Sequence, residues 1–537
     1  MKSRERLLLA GALLLLAVPV WIEPAGSWLG EPDEARYAEV PREMLASRDL
    51  VTPRLNGVPY FEKPPLLYWA NAASFSVFGE TPWAARFPTR IAGMGTVLLI
   101  VGMVAASWGL ETGLAGGILY LASPLGFAFS RVNLTDGLLT FFFTATFAAA
   151  KTMLARREAG KPAAIWAAAT GIAAAGAFLT KGLIGIVLPG LVLVVWCLMT
   201  RRARLIGALL RSPAPVVFLA AAAPWFVAAA IRHPGFLQFF FIHEHLQRFA
   251  TSSAHRPGPI YYFAGIFLAG FLPSLPFFFA AFRKPAVTRW RREEPDALFY
   301  LAWFAVIFLF FSVSSSKLPP YLVPAMPAAA ALAARGLRTS SSRWPLILSA
   351  ALGVLLIAGL AFWPTAGHWI SEYGLVSIAL GGAAVMLAGT VGAALATRTA
   401  SRGLAALAVA WCGFYTALAL AWPRVPPATE LHALEASARR YSTESGALVV
   451  GYRSFTPGLP WELSRPVPVA DYLGELEPWF EPDAAVRESL FWTRERFWSE
   501  WKSGRRMIAL VSTPDLEEFR SGRLLLVSRK YSLAANF

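Results

Sequence analysis

The chain has 537 residues, of which 56% are hydrophobic and only 15% charged, and its mean hydropathy is +0.50. That balance excludes an ordinary soluble domain, and the length excludes a single-span anchor. The formal net charge of +16 suggests a nucleic-acid partner only until the basic residues are placed along the chain, where they form separate groups and no groove-like patch.

Apolar runs of about 17–25 residues, enough to cross roughly 30 Å of hydrocarbon, begin near residues 6, 90, 112, 137, 163, 182, 212, 259, 297, 318, 344, 373 and 403. Thirteen spans are therefore predicted. The first has basic flanks but no small-residue cleavage site, and reads as a retained helix. Basic groups at Lys2/Arg4/Arg6, Lys151/Arg156/Arg157/Lys161, Arg201/Arg202/Arg204/Arg211, Arg283/Lys284/Arg289/Arg291/Arg292, Arg335/Arg338/Arg343 and Arg398/Arg402 occupy every second connection. The positive-inside rule makes that face cytoplasmic, with the amino terminus inside. An odd span count then puts the carboxyl terminus outside. Cys197 and Cys412 lie in apolar spans and imply neither a disulfide framework nor a reactive thiol.

Residues 23–89 form a first outer loop, too long for a simple connection, in which short helices on the bilayer are expected. Trp28, Tyr37, Tyr60, Phe61, Tyr68, Trp69 and Trp83 suit the membrane interface. A second outer loop, 232–258, holds His233, His243, Glu244, His245, Arg248, His255 and Arg256. From Pro423 onward charges become frequent and no apolar run reaches spanning length. The organisation expected is a transmembrane domain over 1–422 and an outer, soluble α/β domain over 423–537. Its candidate strands are 447–452, 466–470, 507–512 and 524–528, with helical patterns near 428–441, 484–502 and 514–521. That segment has no phosphate loop, metal-ligand spacing or nucleophile elbow, so no chemistry is assigned to it.

The ionisable residues of the outer face carry the functional signal, because charge at a membrane face costs free energy unless it is used. Asp33 follows Pro32 and precedes a helical pattern; it is either a helix cap or a carboxylate put to work, and capping would itself fix it in place. In Glu62-Lys63-Pro64-Pro65 the residue before proline is extended, so Lys63 projects from a rigid kink; the bland alternative is a snorkelling lysine. Asp136, in a short outer turn, either caps the following span or serves the site. Outer connections beyond the first loop hold six basic residues, Arg131, Lys181, Arg232, Arg248, Arg256 and Lys317, against twenty-one on the inner face. Cations kept there suit an anionic ligand such as a phosphate. His243 and His245 are two apart and do not form a zinc HExxH pair. A metal held by Glu62 and His243 is conceivable, with ordinary interfacial histidines as the alternative. Lys317 and Tyr321, among prolines 319, 320, 324 and 327, suit either a pocket entrance or a structural kink.

Five stretches carry a resemblance: Asp33-Glu34-x-Arg36-Tyr37-Ala38-Glu39, Val51-Thr52-Pro53-Arg54-Leu55-Asn56-Gly57, Tyr60-Phe61-Glu62-Lys63-Pro64-Pro65, Glu244-His245-x-x-Arg248-Phe249 and Lys317-Leu318-x-x-Tyr321. They resemble the bacterial aminoarabinose transferase branch of the GT-C glycosyltransferases, related to the protein O-mannosyltransferases. Pro41, where the family usually has a small residue, departs from the pattern.

The resemblance implies an inverting transfer of a sugar from a polyprenyl-phosphate donor to an acceptor outside the cytoplasmic (inner) membrane, on the periplasmic face. Carried over by motif, Asp33 is the principal catalytic carboxylate and Asp136 the second. Lys63 and Arg248 bind the donor phosphate, and Tyr37, Tyr60, Lys181, Tyr321 and Lys317 line the donor pocket. No cofactor is required, and a divalent ion near Glu62 and His243 would be incidental. The acceptor expected is lipid A or a related envelope glycolipid, with a protein hydroxyl as the alternative. A flippase for lipid-linked sugars would instead place polar residues at mid-membrane, and a scaffold would leave Asp33 and Lys63 replaceable.

Overall fold

A computed structural model of the chain describes residues 2–247, 258–283, 287–340, 343–362, 381–382, 384–390, 392, 399–421, 428–477, 480 and 484–537. The chain divides into two compact units. One comprises Met1–Pro24, Arg86–Ala230 and Leu237–Trp422; the other comprises Ala25–Ala85, Ile231–Phe236 and Pro423–Phe537.

The protein is a multi-pass membrane protein. Among the described residues, six helices are long and apolar enough to cross a bilayer: Pro82–Trp108, Thr135–Glu158, Ala164–Lys181, Ala214–Arg232, Pro295–Val313 and Ala400–Ala421. Leu110–Ala122, Ile184–Met199 and Trp344–Leu355 are shorter apolar helices. The count of thirteen is not reproduced among the described residues, and proline is the reason in two places. The run near 259 is split into Tyr262–Gly270 and Leu275–Ala280, with Pro273 between them. The run near 318 opens as a 3-10 turn, Pro319–Ala325, before the helix Met326–Thr339, because prolines supply no backbone donor. Of the run near 373, only residues 381–382, 384–390 and 392 are described, all of them helical.

The interior of this first unit is dense in rings and small residues. Trp303 packs against Phe147 at 4.5 Å, and its indole N–H donates to the Pro324 carbonyl at 2.8 Å. A side chain on Gly336 would collide with the Phe277 backbone, so glycine permits that helix contact.

The second unit is built around a six-stranded sheet. Strands β1 (Arg54–Leu55) and β2 (Val58–Pro59) form a separate hairpin; the sheet holds β3 (Leu448–Tyr452), β4 (Val469–Ala470), β5 (Phe491–Trp492), β6 (Met507–Ser512), β7 (Arg523–Val527) and β8 (Tyr531–Ala535). Its order is β5-β4-β3-β6-β8-β7, parallel from β5 to β6 and antiparallel at β8 and β7. β3 and β6 are almost wholly buried, as their continuous apolar runs require of central parallel strands.

The first outer loop is part of this same unit, and it folds around the helix Asp33–Ser47. Asn56 and Gly57 both take positive φ (53° and 78°), the conformation a two-residue hairpin turn needs. Glu43 of the helix accepts the Gly57 N–H at 2.8 Å. The Asn56 amide donates to Val467 O at 2.8 Å and accepts from Val467 N at 2.7 Å, so a side chain completes a strand-like pair. Within the helix, Arg42 grips Glu39 through two bonds of 2.6 and 2.7 Å and donates to Ser464 O at 3.0 Å. Trp28, Tyr37, Tyr60, Phe61 and Tyr68, expected at the membrane interface, are instead buried in the described chain.

Candidate functional site

The structure distributes the candidate residues over the two units. Asp33, Tyr37, Tyr60, Glu62 and Lys63 belong to one; Asp136, Lys181, His243, Lys317 and Tyr321 belong to the other. Arg248 lies outside the described residues.

Asp33 is the first residue of its helix, but it is not the cap. The cap position is Pro32, and Glu34 reaches back to accept the Gly30 N–H at 2.9 Å, an arrangement resembling the return arm of a capping box. The Asp33 carboxylate is therefore left for Arg36, whose Nη1 donates to Oδ1 at 2.8 Å. The Asp33 side chain is 60% exposed, whereas that of Arg36 is only 14% exposed. Arg36 also pairs through Nε with Glu475, from the turn Gly474–Leu476. Sequence reasoning missed Glu475, since an isolated acid after a glycine carries no pattern of its own. Burial holds the Glu475 carboxyl above its usual range, against the pull of Arg36.

The Tyr60-to-Pro65 segment is pinned from several sides. The Tyr60 N–H donates to Pro53 O at 2.8 Å, and the phenol is driven well above its ordinary pKa by burial and then by the Glu62 charge. Phe61 lies against His233 and Phe236, both at 4.9 Å, and Phe480 at 5.3 Å. His233 in turn bonds Thr52 at 3.0 Å. Burial, assisted by Arg54 and Arg232, holds its imidazole below the usual range. Asp49 organises the adjoining turn: despite burial, the N–H groups of Val51 and Thr52 and the Arg54 guanidinium lower its carboxyl to about 2. On this support Lys63 sits between the backbone and solvent, its ammonium 2.9 Å from Glu62 O and 3.9 Å from the Glu62 carboxylate. The Tyr37 ring lies tilted near that of Tyr68, centroids 6.0 Å apart, and its carbonyl accepts from Asn71 at 2.8 Å.

In the helical unit, Asp136 stands in the first turn of Thr135–Glu158 and Lys181 ends Ala164–Lys181. Each charge therefore meets the favourable end of its helix dipole. They pair at 2.5 Å, with the Asp136 side chain 8% exposed and that of Lys181 11% exposed. The Lys181 ammonium also lies 5.1 Å from the Tyr321 ring centroid, so three of the expected residues meet here. Lys317 has a different setting. Its ammonium donates to the carbonyls of Phe311, Ser312 and Ser314 at 3.1, 2.6 and 2.6 Å, closing the end of the helix Pro295–Val313. His243 stacks on Phe239 at 5.7 Å. Among the described residues no group of three or more His, Cys, Asp or Glu side chains is placed to hold a metal ion.

The chain is similar to several known proteins. Residues 30–246 match the family described as dolichyl-phosphate-mannose-protein mannosyltransferase. An undecaprenyl phosphate-alpha-4-amino-4-deoxy-L-arabinose arabinosyl transferase of Proteus mirabilis is 33% identical over 332 residues, 60% of this chain and 59% of the relative. One from Aeromonas salmonicida is 35% identical over 57% of this chain and 56% of its own length. The matched regions thus span under two thirds of these curated relatives. The crystal structure of ArnT from Cupriavidus metallidurans bound to undecaprenyl phosphate superimposes with a TM-score of 0.82 at 29% identity, covering 99% of this chain and 97% of that one. In its fold the chain is similar to the ArnT structure along its whole length, and over residues 30–246 its sequence resembles the protein mannosyltransferase family.

Proposed function

We propose that the protein is a membrane glycosyltransferase that moves a sugar from a polyprenyl-phosphate donor to an envelope lipid of the lipid A type. The observation that carries this reading is the whole-length likeness to a structure holding undecaprenyl phosphate. The site lies at the periplasmic face of the inner membrane, with residues 423–537 on that side, as the alternation of basic connections supports.

In this reading Asp33 faces the acceptor. For a hydroxyl acceptor it takes the proton as general base; for a phosphate, which is already anionic, it orients groups and stabilises positive charge at C1. As the C1–O bond breaks, negative charge grows on the lipid phosphate. Lys63 and Arg248 stabilise that charge, and no divalent ion is needed. Asp136 serves through Lys181, which it holds, while Tyr37, Tyr60 and Tyr321 shape the donor pocket. Lys317, fully engaged with backbone carbonyls, supports the pocket wall.

A protein acceptor is the second reading, favoured by the match to a family described as protein mannosyltransferases. Incubation of the purified protein with a radiolabelled polyprenyl-phosphate sugar and either lipid A or a serine/threonine peptide separates them. Label on lipid A alone is expected. Label on the peptide alone moves the protein to the O-glycosyltransferases, and label on neither removes the transferase reading. A reporter fused after residue 430 is expected to be active outside the cytoplasm; activity inside would reverse the topology.

A further inference from the structure

Residues 423–537 carry no motif of chemistry, yet one of their side chains contacts the Asp33 segment. We infer that Glu475 is a positioning residue for Asp33, acting through Arg36, so that the carboxyl-terminal segment completes the candidate catalytic group. The inference rests on the transferase reading above.

An Asp and an Arg three apart at an open helix start form a pair of small net value that is free to change rotamer. Asp33, 60% exposed at its side chain, is such a residue if only its own helix is considered. The second carboxylate changes this. Guanidinium is planar and its five donors keep a fixed fork, so a partner that holds Nε also sets the direction of Nη1. Glu475 takes Nε, and Nη1 then meets Asp33 Oδ1 at 2.8 Å.

Glu475 is itself well anchored. It occupies the middle of the 3-10 turn Gly474–Leu476, where Gly474 adopts φ +43°, the Leu476 N–H bonds Leu473 O at 2.8 Å, and the Leu476 side chain is buried. The guanidinium charge is thus shared between two carboxylates, and the trio keeps a net negative charge. Asp33 is held in one orientation without being neutralised, which is what a carboxylate meant for an incoming acceptor requires.

The test compares E475Q, E475D and R36A, with the R36A/E475Q double variant, in transfer from a polyprenyl-phosphate sugar to lipid A. E475Q keeps the shape and removes the charge. Its kcat is expected to fall roughly ten- to a hundredfold, with KM for the donor and the melting temperature unchanged. E475D should recover part of kcat. In the R36A background E475Q should add no further loss, because Glu475 acts only through Arg36. Wild-type kcat in E475Q, a further loss in the double variant, or a loss of kcat matched by a loss of folded protein in both E475Q and E475D overturns the inference. Wild-type protein inactive toward both acceptors fails the transferase reading itself, whereas active wild type with unaffected E475Q fails only the role of Glu475.

Discussion

Glu31 and Glu435 direct their carboxyl groups at the same glycine, Gly458, where an added Cβ would collide with one oxygen of each. Among the described residues neither Glu31 oxygen has a side-chain hydrogen-bond partner, while Glu435 accepts from Thr456 at 2.7 Å. Burial, reinforced by Glu435, drives Glu31 well above the usual carboxyl range; burial takes Glu435 to about 8. Burial thus favours the protonated form of both acids, one at the start of the Asp33 motif and the other on the helix Ala428–Ser445.

The consequence is a stability that falls with rising pH. The folded state binds more protons than the unfolded one between the ordinary carboxyl value, about 4.5, and the folded value, about 8, so the stabilising contribution is complete below that window and is lost through it. The total is on the order of a few kcal/mol. Asp49, already ionised at about 2, adds nothing in this range, and His233, held below its usual value, works in the opposite sense near pH 6. Thermal melting between pH 5 and pH 8 should show the wild type losing stability as pH rises and Glu435→Gln flattening the curve. A Glu435→Gln curve parallel to that of the wild type would remove the carboxyl pair as the cause.

Asp33→Asn and Lys63→Ala should each abolish turnover while the protein still inserts and melts normally, since both side chains are partly open to solvent and neither anchors the core. Arg248→Ala should weaken donor binding by about 2 kcal/mol, roughly thirtyfold, the value of a charge-assisted phosphate contact. Steady-state kinetics and donor titration read these outcomes. Near-normal transfer by either of the first two variants counts against the catalytic assignment.

The Asp136–Lys181 pair separates structure from chemistry. Removing one partner strands a charge in a nearly closed site, and Asp136→Asn or Lys181→Met should each cost about 3–5 kcal/mol. The double variant Asp136→Asn/Lys181→Gln leaves no lone charge and should recover most of that stability without recovering turnover. Turnover returning together with stability would make the pair purely structural.

Activity should persist in excess EDTA, because Lys63 and Arg248 can supply the positive charge that a metal would otherwise bring to the leaving phosphate. Loss of activity in chelator, restored by added Mg²⁺ or Zn²⁺, would require a metal-assisted mechanism instead.

What could be read from sequence was local. Apolar length identified membrane-spanning character because a bilayer imposes it residue by residue. Strands 447–452 and 507–512 showed as short apolar runs between polar flanks, and both lie in the centre of the sheet. β8 escaped, since Tyr531–Ala535 carries too little β-branched sequence to stand out and is a strand only because β6 and β7 pair with it. Proline chemistry marked the stretch at 318, but whether it spans or turns depended on tertiary packing, in which Trp303 takes up the Pro324 carbonyl. The chemical residue types were legible as well, because charges on an apolar chain are conspicuous. Their partners were not. Asn56 with Val467, Arg36 with Glu475 and Glu31 with Glu435 are each joined across some four hundred residues, and such pairs leave no period or spacing in the chain. They exist because the first outer loop and the carboxyl-terminal segment fold into one unit, whose packing alone decides which buried charges meet.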